Sequence, residues 1–187
     1  MDAPPQSWPS ARRCDTYDET TSAGRMCGIA GIFRTGSSAV SLPTDRHRTL
    51  KMLERLAHRG PDDEGVCTMG SVTLGTKRLA IVDRANGTQP IFDDAGSALC
   101  FNGEIYNSVE LRRDLERRGH RFTGHCDSEV LYHLLCEHGA TGLESLIGMF
   151  ALAFYDARRR SLLLAVDPFG IKPVFWTRQN DEVLFAS

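Results

Sequence analysis

The chain has 187 residues, 22 of them basic and 24 acidic, for a net charge of −2 at neutral pH. That length suits one domain able to bury roughly 70% of the surface its unfolded chain would expose. The near balance of charge argues against a nucleic-acid partner and against an anionic membrane partner. The six cysteines, Cys14, Cys27, Cys67, Cys100, Cys126 and Cys136, contain no C-x-x-C pair, so no metal site is expected. Nothing at the start of the chain has the basic and apolar pattern of a signal peptide, and a disulfide framework is not expected either. The longest apolar run, around residues 149–155, falls far short of the ~20 residues a membrane helix needs. These readings predict a cytoplasmic protein with reduced thiols.

Residues 1–25 are rich in Pro, Ser, Asp, Thr and Arg and lack apolar periodicity, which predicts a disordered extension, a propeptide or a mis-assigned start. The domain begins after it, with a short apolar strand over 28–33. A helix is predicted over 42–58, with Leu50, Leu53, Leu56 and Ala57 on one face and Thr44 or Asp45 as its cap. Arg59-Gly60-Pro61-Asp62-Asp63 reads as a turn. Closely spaced strands follow at 65–69, 72–75, 78–83 and 97–102. Helices are predicted over 108–119, capped by Ser108, and 127–139, capped by Asp127, then a helical turn at 143–147. Strands at 149–155, 162–166, 174–176 and 182–186 complete the chain, with a hairpin turn at 156–160. Many strands with few helices between them indicate an α+β fold with mainly antiparallel sheets. Gly170-Ile171-Lys172-Pro173 lacks the spacing of a phosphate loop, and Pro173 would break the helix such a loop opens.

Cys27 follows Met26. If translation starts at Met26, or the chain is cleaved after it, one residue carries both a thiol and a free α-amine. The amine titrates near ~8, so it can serve as a base beside the nucleophile. Taken alone, the cysteine reads more simply as a small buried residue at a strand start. The histidines offer no competing site: His47, His58, His120, His125, His133 and His138 read as surface, turn or helix residues, and Cys126 as a packing residue.

Six segments then fall into order: Cys27-Gly28-Ile29-Ala30-Gly31, Arg59-Gly60-Pro61-Asp62, Arg78-Leu79-Ala80-Ile81-Val82-Asp83, Asn102-Gly103-Glu104-Ile105-Tyr106-Asn107, Cys126-Asp127-Ser128-Glu129-Val130 and Asp167-Pro168-Phe169-Gly170-Ile171-Lys172-Pro173. Together they resemble the class II glutamine amidotransferase domain of asparagine synthetases, over residues 26–187. The resemblance implies an N-terminal-nucleophile hydrolase fold, an αββα sandwich of two mainly antiparallel sheets between helices. It also implies hydrolysis of L-glutamine to glutamate and ammonia through a γ-glutamyl thioester on Cys27.

By the same resemblance, Asn102 and Gly103 form an oxyanion hole. Arg78 clamps the substrate α-carboxylate, Leu79 and Val82 line the pocket, and Glu104 and Asp127 receive the α-ammonium. Each residue type has the chemistry its role needs. A side-chain amide and a backbone N–H can stabilise a developing oxyanion, and a guanidinium can hold a carboxylate through two hydrogen bonds. Each also has a plainer reading: an Asn-Gly turn, a solvated strand-end arginine, a surface glutamate, and an aspartate at a helix cap.

No cofactor is expected for the glutaminase domain. By the resemblance, ATP and Mg belong to a synthetase domain, expected to be absent from residues 26–187, so a synthetase domain or subunit is expected as partner to receive the ammonia. Two rival readings remain: a catalytically silent scaffold, if Cys27 is not the mature N-terminus, and an acylase acting on other amides.

Overall fold

The computed structural model describes residues 26–36, 39–78 and 88–187. The predicted extension at 1–25 and the predicted strand residues 79–83 lie outside the described residues. So do Leu79 and Val82, two of the expected pocket residues.

The described elements are β1 (Gly28–Arg34), α1 (Pro43–Arg55), β2 (Asp63–Met69), β3 (Val72–Arg78), β4 (Ile91–Phe92) and β5 (Ala98–Ile105). They continue with α2 (Ser108–Arg117), α3 (Asp127–His138), a 3₁₀ turn (Gly139–Ser145), β6 (Gly148–Asp156), β7 (Ser161–Val166), β8 (Phe175–Gln179) and β9 (Glu182–Ala186). They make two sheets, one ordered β2-β3-β1-β9-β8 and the other β4-β5-β6-β7. Every pairing between these strands is antiparallel.

The period-2 alternation of β5 and β6 explains the layering. Ala98, Cys100, Ala151, Ala153 and Tyr155 face one way and meet Ile29, Val72, Leu74 and Phe185 of the other sheet. Most of these second-sheet residues are small, which lets the two sheets approach closely. Leu99, Phe101, Ile105, Phe150, Leu152 and Phe154 face the other way, onto Leu111, Leu115, Val130, Leu131 and Leu135 of α2 and α3. On the far side of the first sheet, Leu53 and Thr49 of α1 lie against Gly75 of β3, where an added Cβ would sit 2.8 Å from Leu53. The layer order is therefore helix, sheet, sheet, helix, as expected.

Several boundaries and caps differ from the sequence reading. Asp45 does not cap α1 from its first position. From inside the first turn its carboxylate accepts the Leu42 N–H (2.8 Å), the Arg34 guanidinium (2.6 and 3.0 Å) and Arg48 (3.4 Å). Ser108 and Asp127 are the first residues of their helices, not the caps, which are Asn107 and Cys126. Residues 72–78 form one strand, so Arg78 ends β3 where the sequence suggested it began another. Two residues of β4 went unseen because a strand that short carries no periodicity.

Candidate functional site

Cys27 stands immediately before β1. Gly28 pairs with Lys77 of β3, so Cys27 lies beside the strand end that carries Arg78. Ser187 fastens this end of β1: its N–H donates to the Ile29 carbonyl (2.9 Å) and its Oγ accepts the Ile29 N–H (3.0 Å). The Arg59-Gly60-Pro61-Asp62 turn folds back onto the same strand end. Asp62 N–H donates to the Arg78 carbonyl at 3.1 Å, and a Cβ on Gly60 would fall 2.4 Å from the Lys77 carbonyl oxygen. The turn can approach this closely because residue 60 has no side chain. Arg59 itself is half-buried, and its Nε donates to the Cys27 carbonyl at 3.4 Å. Burial pulls its guanidinium below the ordinary arginine range, with Cys27 acting against that shift.

The second sheet supplies the opposite wall. Asn102 and Glu104 share a face of β5 with Cys100, the face turned toward the first sheet. The Asn102 side chain is 2% exposed, and its Nδ2 is buried without a hydrogen-bond partner. Leaving a buried amide donor unpaired costs about 1–3 kcal/mol, so the group is held ready at a stability cost. Beside it, a Cβ on Gly103 would fall 2.1 Å from the Met149 carbonyl oxygen and 2.7 Å from Phe150 Cα. The β5–β6 pairing therefore demands glycine at this position.

α3 delivers Asp127, whose Oδ2 accepts the Ile105 N–H at 3.0 Å. This bond fixes the carboxylate to the end of β5, in place of the capping role read from sequence. Burial, reinforced by Glu104, raises its pKa above the ordinary aspartate value, although the Ile105 and Ser128 N–H groups oppose the shift.

These residues converge. Cys27, Arg78, Asn102, Gly103, Glu104 and Asp127 all line one cavity of about 340 Å³, at the small end of ligand pockets and suited to a single amino acid. Arg78 is 7% exposed, which removes the reading of it as a solvated strand-end arginine.

Sequence reasoning missed several lining residues. Gln89 is one; its Oε1 accepts the Phe101 N–H at 2.7 Å. His125, read as a surface residue, also lines the cavity, and so does Cys126. Lys172 is the most consequential omission. It is buried, and its Nζ donates to the Met26 sulfur at 2.8 Å. Burial, and then the Arg59 cation, lower its pKa below that of an ordinary lysine.

Asp167 holds Lys172 in place. Its carboxylate accepts N–H groups from Phe169 (2.9 Å), Ile171, Lys172 and Phe150 (3.2 Å each). Burial would raise its pKa, but these donors outweigh burial and lower it. The only sequence signal for this arrangement was the Asp-Pro-Phe-Gly-Ile-Lys-Pro segment itself.

Three of the remaining groups on and beside α3 contact one another. His133 and Glu137 lie four residues apart on α3, with His120 against both: Nδ1 to Nδ1 of His133 at 3.2 Å, and Nε2 to Glu137 Oε2 at 2.7 Å. Their polar atoms are turned on one another, and no group of His, Cys, Asp and Glu among the described residues could hold a metal.

A family model described as a glutamine amidotransferase domain matches residues 26–187. The chain belongs to that family. Among curated proteins, asparagine synthetase (glutamine-hydrolysing) 1 of Bacillus subtilis (strain 168) is 39% identical to this amidotransferase domain over 164 residues, covering 87% of the chain and 26% of that protein. The glutamine-hydrolysing asparagine synthetase of Asparagus officinalis is 39% identical over 151 residues, covering 80% and 25%. The domain thus spans about a quarter of the length of the curated relatives it matches.

Two solved structures share the fold at 23% identity. The glutamine phosphoribosylpyrophosphate amidotransferase of B. subtilis, complexed with ADP and GMP, has a TM-score of 0.64, covering 86% of this chain and 41% of that one. A structure titled as the allosteric regulatory enzyme of purine biosynthesis has a TM-score of 0.68, covering 86% and 42%. The fold they share with this chain is the sandwich of two antiparallel sheets between helices.

Proposed function

We propose that this domain hydrolyses L-glutamine to L-glutamate and ammonia, and that the ammonia passes to an asparagine-synthetase-type domain or subunit. The observation that carries the reading is the buried, unpartnered Nδ2 of Asn102 in the same small cavity as Cys27, Arg78 and Asp127. An unpaired donor beside a thiol is what an oxyanion hole requires before substrate arrives.

The steps follow from the side chains. Arg78 binds the glutamine α-carboxylate. Asp127 and Glu104 bind the α-ammonium and so select the free amino acid over a residue within a peptide. The Cys27 sulfur attacks the amide carbon while its proton passes to the Cys27 α-amine. Charge on the former carbonyl oxygen is taken up by Asn102 Nδ2 and the Gly103 N–H, each worth about 3–4 kcal/mol in the barrier. When the C–N bond breaks, the proton on the α-amine leaves with ammonia. Water then cleaves the thioester, releasing glutamate and restoring the thiol.

This sequence needs Cys27 as the first residue. One observation favours a second reading, a silent scaffold: with Met26 in place, the methionine lines the cavity, its sulfur on Lys172. The cytoplasmic setting belongs to the same proposal, supported by Cys67, Cys100 and Cys136, which form no disulfide. No helix among the described residues is long and apolar enough to cross a membrane.

The test is to express the chain from Met1 and from Met26, determine each mature N-terminal mass, and assay glutamate release. The form beginning at Cys27 is expected to release glutamate and to gain the mass of a glutamine-analogue electrophile. Cys27→Ala should abolish both. A Cys27-first form with neither property would sink the catalytic reading and leave the scaffold.

A further inference from the structure

Lys172 takes no part in the hydrolysis steps, yet it is 9% exposed and lines the same cavity as Cys27. A lysine is almost never buried unless another group answers its charge. Among the described residues, no carboxylate lies within ion-pair reach of this one. Its Nζ donates to the Met26 sulfur at 2.8 Å, and a thioether is a weak acceptor for a group with three donors. The loop nevertheless holds the side chain inward, because Asp167 accepts the backbone N–H of Lys172 as well as those of Phe169 and Ile171.

A second cation stands on the same side of Cys27. Arg59 Nε donates to the Cys27 carbonyl at 3.4 Å, and Arg59 Nη2 is buried without a hydrogen-bond partner. Burial and then Arg59 draw Lys172 below the ordinary lysine range, while Cys27, Asp167 and Glu104 act the other way. The other charged or titratable side chains lining the cavity are Arg78, Glu104, Asp127 and His125. The first three face the substrate head group in the glutaminase reading. Lys77, which pairs with Gly28 across the sheet, is held by Glu64 at 2.6 Å.

Met26 is bonded to the Cys27 nitrogen. Its removal therefore creates the α-amine beside the Lys172 ammonium and takes away that ammonium's acceptor. An ordinary α-amine titrates near ~8, so at pH 7 only roughly a tenth of it is free to accept a proton. A like charge nearby disfavours the protonated form.

We propose that Lys172 is a positioning residue for the hydrolysis, its ammonium keeping the Cys27 α-amine unprotonated and ready for the thiol proton. The inference rests on the glutaminase reading above. The amine takes the sulfur's proton as the C–S bond forms. The same repulsion then favours passing that proton to the departing nitrogen as the C–N bond breaks. With the amine's titration lowered by about one unit, roughly half of it is a base at pH 7, about five times the ordinary share.

The experiment uses the form beginning at Cys27 and its Lys172→Met, Lys172→Gln and Lys172→Arg variants. The acid limb of glutamine kcat/KM should lie near pH ~7 in the parent and in Lys172→Arg. In the two uncharged variants it should move up by about one unit, with a loss of about five-fold at pH 7 and none at pH 9. An NMR titration of Cys27, labelled with carbon-13, reads the same amine without turnover. Limbs and titrations that stay in place in the uncharged variants would overturn the proposal. So would a fall in kcat at every pH or a rise in glutamine KM alone, since Lys172 would then be a structural or a substrate-contacting group. A parent amine that titrates at ~8 or above would overturn it whatever the variants do. A failed glutaminase reading looks different: no form releases glutamate, while the amine's titration still follows the charge at residue 172.

Discussion

β5 and β8 are strands of the same sandwich with opposite surroundings. β5 is central: one face meets the other sheet, the other meets α2 and α3, and most of its residues are buried. β8 is an edge with none of its residues covered, although it carries a Phe and a Trp. In β5 the apolar side chains stabilise this chain. In β8, Phe175 and Trp176 stay mostly exposed among the described residues and add little to this core. The difference also locates the chemistry: the unpaired Asn102 donor can be held in place because the strand around it is fully packed.

The sharpest break of this comparison is in the β5–β6 layer. Leu152→Ala, at a fully buried position, should cost about 2–5 kcal/mol of stability, measured by denaturant unfolding. A loss under ~1 kcal/mol would mean that the helix layer is not the main core. Asn102→Ala should act the other way round. It removes an unpaired buried donor, so the melting temperature should hold or rise. The glutaminase kcat should meanwhile fall about 100–1,000-fold. If stability and activity fell together, Asn102 would be a structural residue.

Acid should separate two kinds of carboxylate. Asp167 and Asp45 have folded pKa values below their unfolded ones. Their stabilisation is complete above the unfolded value of ~3.9 and is lost as pH falls through the lower folded values. Thermal stability should therefore fall only below about pH 4 from this source. Asp127 is raised, so its charged form costs stability at neutral pH. As pH falls, glutamine binding should weaken through protonation of Asp127 before the fold begins to fail. A glutamine KM that rises only together with acid unfolding would remove Asp127 from the binding role. The smallest effect belongs to β8: Phe175→Ser should move stability by no more than ~0.5 kcal/mol, checked by thermal melting.

Alternation and helical period made β1, α1, α2, α3, β5, β6 and β9 legible, because burial on one face or two leaves a pattern in the residues themselves. The ordered motifs made Cys27, Arg78, Asn102, Gly103, Glu104 and Asp127 candidates, and the structure brings all six to one cavity. Lys172 stood in an ordered segment but received no role, because only the fold shows Asp167 holding its backbone beside the cavity. Nor was the exposure of Phe175 and Trp176, since an apolar strand residue looks the same in sequence whether its sheet continues beyond it or stops.

By itself the sequence determined the class of fold, the family, and the candidate side chains that the cavity brings together, since those depend on residue type and local spacing. Tertiary structure alone decided that Asn102 Nδ2 is buried and unpaired, that the Ile105 N–H ties the Asp127 carboxylate to the end of β5, and that β8 lies at the sheet edge among the described strands. Each of these depends on what a distant segment does or does not place alongside, and long-range packing leaves no local trace in the chain.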